Sequence, residues 1–75
     1  MNNKKYIVNH GKQWSFRFID AESETQYSYL TSGETVVITA RGEIDAYGSL
    51  GRFPTIERYE AVDRAIKNGV LTEIV

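Results

Sequence analysis

Seventy-five residues with nine basic and ten acidic side chains, a formal charge of −1, make a single domain. By size scaling, a chain of 8.5 kDa exposes roughly 12,300 Å² unfolded and roughly 4,650 Å² folded, so about 60% is buried and an enclosed drug-sized cavity would hollow out the core. The absence of cysteine excludes disulfide-stapled scaffolds, thiolate metal sites and thiol nucleophiles, and the near-neutral charge argues against strong duplex binding and against an acidic DNA mimic.

The start, Met1 to Val8, has basic residues but only three apolar ones behind them, so no export signal is read there. No apolar run approaches the ~20 residues of a membrane span, and a soluble, cytoplasmic protein is expected. There is no internal repeat.

In chain order, Tyr6–Val8 and Trp14–Asp20 read as a hairpin turning at Asn9–Lys12. Trp14, Phe16 and Phe18 recur with the period of two of a half-buried strand. A three-residue loop, His10 to Lys12, sets Val8 across from Trp14 and Tyr6 across from Phe16, which gives one continuous aromatic face. Ile7, Arg17 and Ile19 then share the opposite face. Ala21–Thr25 is turn-like, Gln26–Leu30 alternates as a third strand, and Thr31–Glu34 turns the chain. The β-branched run from Thr35 favours a strand to Ala40, followed by a tight turn at Arg41–Gly42 and a strand over Glu43–Tyr47. Gly48–Gly51 ends the sheet region.

Thr55 suits a helix N-cap, with the Glu57 carboxylate in the first turn. Ile56, Tyr59, Val62, Ala65 and Ile66 fall on one face of a helix over residues 55–68. Glu60 with Arg64, and Asp63 with Lys67, are spaced as ion pairs on its solvated face. Gly69 fits the left-handed position after the helix, with Val70 folding back near Ala65. Leu71–Val75 is either a last short strand or an ordered tail. The fold class is therefore α+β: an antiparallel sheet of four or five short strands with one C-terminal amphipathic helix packed on one face. That element order is shared by many unrelated small accessory proteins and carries little functional weight.

Few residues invite chemistry. His10, the only histidine, has no second imidazole or thiolate to complete a metal site and reads as a turn residue. Asp20, Glu22 and Glu24 form an acidic cluster without the glycine and distal glutamate of a calcium loop. Gly48–Arg52 resembles an anion nest but lacks the Lys-Ser/Thr ending of a phosphate loop. With no nucleophile–base pair to assemble, no enzyme, catalytic residue, metal or cofactor is expected.

The aromatic residues carry the functional expectations. One helix covers one sheet face, so a second face or an edge strand is left for a protein partner or a second copy. Ile7, Arg17, Ile19, Tyr27, Tyr29 and Tyr47 are the candidate contacts of such an interaction module, an adaptor or inhibitor-like protein. The alternative is single-stranded nucleic acid, with Trp14 stacking bases and Lys4, Lys5, Lys12, Arg17 and Arg41 contacting phosphates. Against that stands the need of the helix stripe for an apolar partner, which Trp14, Phe16 and Phe18 supply best.

Overall fold

A computed structural model describes residues 3–75; Met1 and Asn2, the first residues of the basic start, lie outside it. The chain is α+β, and the described residues form seven strands: β1 (Lys4–Val8), β2 (Gln13–Ile19), β3 (Thr25–Thr31), β4 (Thr35–Ile38), β5 (Ile44–Gly48), β6 (Gly51–Pro54) and β7 (Leu71–Ile74). Among the described residues one helix, α1 (Tyr59–Lys67), lies between β6 and β7. All pairings are antiparallel. Five strands form one sheet in the order β6-β5-β4-β1-β7, and β2 with β3 form a separate two-stranded sheet. The strands outnumber the four or five expected because Gly48–Gly51 is a hairpin turn into β6 rather than the end of the sheet, and Leu71–Ile74 is a strand.

The expected β1–β2 hairpin does not form. β1 pairs with β4 (Tyr6 opposite Val36) and with β7 (Val8 opposite Leu71), while β2 pairs with β3 (Arg17 opposite Tyr27). The Asn9–Lys12 connection instead carries the chain out of one layer into the other. Tyr6, Val8, Trp14 and Phe16 are all buried, as their alternation requires, but they meet across the core rather than along a sheet. Alternation states which side of a strand is inward and is silent about which strand lies beside it.

That core lies between two layers. Tyr6, Val8, Val36, Ile38, Ile44 and Ala46 on the five-stranded sheet face Trp14, Phe16 and Leu30 of the hairpin, with Val62 and Ala65 of the helix beside them. Phe16 and Phe18 each pack their rings on Phe53, with centroids 6.2 and 5.4 Å apart. The helix thus shares its sheet face with the β2–β3 hairpin. It buries Val62 and Ala65 only; Ile56, Tyr59 and Ile66 of the expected stripe are substantially exposed.

The helix is also shorter than the expected 55–68. Its N-cap is Arg58, with extended backbone and no side-chain cap bond. Thr55 is engaged elsewhere, since its Oγ1 donates to the Ile44 carbonyl at 2.8 Å and accepts from the Glu57 N–H at 3.1 Å. The C-terminus behaves as expected. Gly69 has φ +78, the Gly69 N–H donates to the Ile66 carbonyl and the Val70 N–H to the Ala65 carbonyl, the paired bonds of a Schellman ending. β4 stops at Ile38, because Thr39 Oγ1 accepts from the Arg41 and Glu43 N–H groups and turns the chain.

Candidate interaction surfaces

The hairpin turns one face to the core and one to solvent. Cross-strand register puts Arg17 beside Tyr27, Ser15 beside Tyr29 and Ile19 beside Thr25 on the outer face. Tyr27 is 76% exposed, Tyr29 55% and Ile19 49%. Four of the six expected contact residues, Arg17, Ile19, Tyr27 and Tyr29, are therefore brought together.

The other two are elsewhere. Ile7 and Tyr47 lie on the outer face of the five-stranded sheet, because Tyr6 and Ala46, their chain neighbours, face the core. Lys5, Thr35, Val37 and Tyr47 line a shallow 240 Å³ depression there. The second face expected from one helix on one sheet is thus two surfaces pointing away from each other, since each layer keeps its own outer side.

The strand edges differ in what they offer. The Arg17 carbonyl accepts from the Ile56 N–H at 2.9 Å, and the Arg17 N–H donates to Glu57 Oε2 at 2.7 Å. The free side of β2 is therefore occupied at Arg17, its midpoint, by the chain entering α1. The Arg17 guanidinium grips the same carboxylate, Nε to Oε2 at 3.1 Å and Nη2 to Oε1 at 3.2 Å. Pro54 on β6 has no N–H to offer at that edge, and β7 is four residues long and carries Glu73.

β3 is different. Both backbone groups of Arg17 point away from β3, so Arg17–Tyr27 is a non-hydrogen-bonded pair, and by alternation so is Ser15–Tyr29. The backbone N–H and C=O of Tyr27 and Tyr29 consequently point outward, and no backbone partner among the described residues engages them. The seven-residue strand, TQYSYLT, contains no charge, proline or glycine. Only its end is clamped: Glu34 Oε1 accepts from the Thr31 N–H and Oε2 from the Ser49 N–H. Below the edge is a crevice lined by Phe16, Ser28, Leu30, Leu50 and Phe53, with Leu50 almost fully exposed.

The residues considered for nucleic acid are dispersed. Trp14, proposed as a stacking ring, is 5% exposed and lies in the core against Phe16, ring centroids 5.7 Å apart, so it offers solvent no face. Arg17 is held by Glu57. Lys5 is on the outer face of the large sheet, Lys12 in the β1–β2 turn and Arg41 in the β4–β5 turn. Lys4 borders a 330 Å³ pocket between sheet and helix with Tyr6, Ile38, Tyr59 and Asp63. Burial, then the charges of Glu73 and Asp63, push the Tyr6 phenol above its usual value. Sequence reasoning placed Tyr6 in the core without seeing this opening, which exists only where the start of α1 borders β1 and the end of β4.

The remaining candidates resolve into turn chemistry. Among the described residues no cluster of three or more His, Cys, Asp or Glu side chains is arranged to hold a metal. Asp20 organises its own turn: Oδ1 accepts from the Glu22 and Glu24 N–H groups, Oδ2 from Gln26 Nε2. His10 lies in the turn between β1 and β2. At Gly48–Arg52, the Ser49 N–H is already taken by the Glu34 carboxylate, and Arg52 Nε pairs with the buried Asp45 at 3.3 Å. Ion pairs among the described residues close at Arg17–Glu57 and Arg52–Asp45 rather than along the helix. No helix in the described residues is long and apolar enough to cross a membrane. The chain matches no protein-family model, no curated protein and no solved structure.

Proposed function

We propose that this chain is a small non-enzymatic protein-interaction module that works by strand addition at β3. A partner segment in extended conformation pairs with the outward N–H and C=O groups of Tyr27 and Tyr29, and their side chains, with Arg17 and Ile19, form the adjoining contact face. The observation that carries the reading is the open edge of β3. A long, uncharged, proline-free edge strand is what proteins ordinarily disguise, and the other edges among the described residues are interrupted at their midpoint by the chain entering α1, short or proline-bearing. Main-chain bonds supply affinity in such complexes and alternate side chains supply selectivity.

The test exploits the phase of the strand. Tyr27→Pro deletes an outward N–H and none of the bonds that join β3 to β2, so it leaves the fold intact while disabling the edge. A library of random heptapeptides displayed on phage is panned against wild-type protein and against Y27P. Enrichment of extended, β-prone sequences on wild type alone is expected. Equal recovery on both proteins, or no enrichment on wild-type protein held dilute enough to be monomeric, removes the reading.

A further inference from the structure

Resting on the strand-addition reading, we infer that the occupant of the β3 edge is β3 of a second copy, paired antiparallel about a two-fold axis through Ser28. The strand is nearly palindromic about that residue: Thr25 mirrors Thr31, Gln26 mirrors Leu30, and Tyr27 mirrors Tyr29. An isologous contact needs a surface that is its own complement, and an antiparallel strand pair meets that demand when the sequence reads alike in both directions.

The backbone phase agrees with the sequence symmetry. Tyr27 and Tyr29 both point their N–H and C=O groups outward, so in the Ser28-centred register each faces the other's counterpart and exchanges both bonds. Thr25 falls opposite Thr31 of the second copy; the Thr31 carbonyl accepts there, while the Thr31 N–H stays with Glu34 at 2.8 Å. A shift by one residue would set these groups against positions whose N–H and C=O point back to β2. The side chains follow the same order. Tyr27 of one copy lies beside Tyr29 of the other on the solvent face, twice over, giving two aromatic cross-strand pairs with no charge opposed. The result is a continuous four-stranded sheet, β2-β3-β3-β2, in which two-stranded hairpins of marginal size become one larger sheet.

Ser28 is the test position. On the axis it faces itself in a non-hydrogen-bonded pair, where Cα atoms approach to about 4.5 Å, within the range a disulfide spans. Ser28→Cys supplies the only thiol in a chain without cysteine. Under mild oxidation S28C is expected to form a disulfide dimer about tenfold faster than Glu22→Cys at the exposed hairpin tip, because a paired thiol meets its partner at high effective concentration. Wild-type protein should show a concentration-dependent monomer–dimer equilibrium by sedimentation, lost in Tyr29→Pro. If the proline variant does not fold, the Tyr27→Glu, Tyr29→Glu double variant serves instead, since it opposes like charges across the axis and alters only exposed side chains. A monomer at every concentration, with S28C no faster than E22C, overturns the second-copy inference; strand addition then stands or falls on the heptapeptide panning alone. A dimer that persists in the edge variants overturns it equally, since the contact then lies off β3.

Discussion

Glu57 ties the approach to the helix to the free side of β2, and its protonation state governs that tie. Burial pushes its carboxyl up, but the bonds from the Arg17 side chain and backbone N–H, with the Arg17 charge, outweigh burial and hold it below the ordinary value of 4.5. A carboxyl whose folded pKa is depressed contributes stability that is complete above its unfolded pKa and is lost as pH falls through the folded one. Glu57→Gln is therefore expected to cost about 1 kcal/mol near neutrality, given the exposure of Arg17, a fall in Tm of about 4–8 °C for a domain of this size. Its stability should also vary less with pH than wild type below the ordinary glutamate range. Thermal melts from neutral pH into acid check both. Some acid slope survives in E57Q, because the bonds from the Glu24 N–H and the Gln26 amide, with that from the Glu22 N–H, hold Asp20 low as well, outweighing desolvation. Neither role was legible in the chain. Asp20 read as one of three clustered acids and Glu57 as a helix-dipole residue, since the partners of Glu57 lie forty residues away.

At the scale of elements, α1 has a well-made end and a poorly made beginning. The C-terminus was legible because a Schellman ending is local: Gly69, Val70 and Ala65 lie within six residues and need no other strand. The start was misread for a tertiary reason. Thr55 has the side chain of a cap, yet its hydroxyl is bonded to the Ile44 carbonyl, and the helix begins after Arg58. An exposed N-cap without a capping side chain invites repair. Arg58→Asp should stabilise the fold by about 0.5–1 kcal/mol, through a side-chain bond to the first turn and a favourable charge at the dipole. Conversely, Gly69→Ala, which forces a Cβ into left-handed backbone at φ +78, should cost about 1 kcal/mol. Denaturant melts of the two variants are expected to move in opposite directions.

For the whole molecule, Trp14 is the reporter. It lies on the hairpin side of a core built from both layers and the helix, so its environment depends on all of them. Its emission is expected to be blue-shifted, indifferent to single-stranded oligonucleotide at low salt, and to redden on unfolding at the same denaturant concentration at which far-UV circular dichroism is lost. Red-shifted native emission quenched by oligonucleotide would contradict the core assignment. The aromatic face needed burial, and the alternation of Trp14 and Phe16 was sufficient to say so. The separation of Ile7 and Tyr47 from Arg17, Ile19, Tyr27 and Tyr29 could not be read in the same way, because it depends on the hairpin leaving the sheet.

The amino-acid sequence by itself determined the α+β class, most strand positions, the inward side of β1 and β2 and the end of the helix. Each of these follows from side-chain periodicity or from backbone preferences acting over a few residues. Only the tertiary structure decided that β1 pairs with β4 and β7, that β2 and β3 stand apart as a second layer, and that β3 keeps an open edge. Pairing partners and edges are set by where loops send the chain and by which distant groups reach a backbone N–H, as Glu57 does for Arg17. An inward-facing side chain is equally buried by a neighbour in its own sheet or by one across the core.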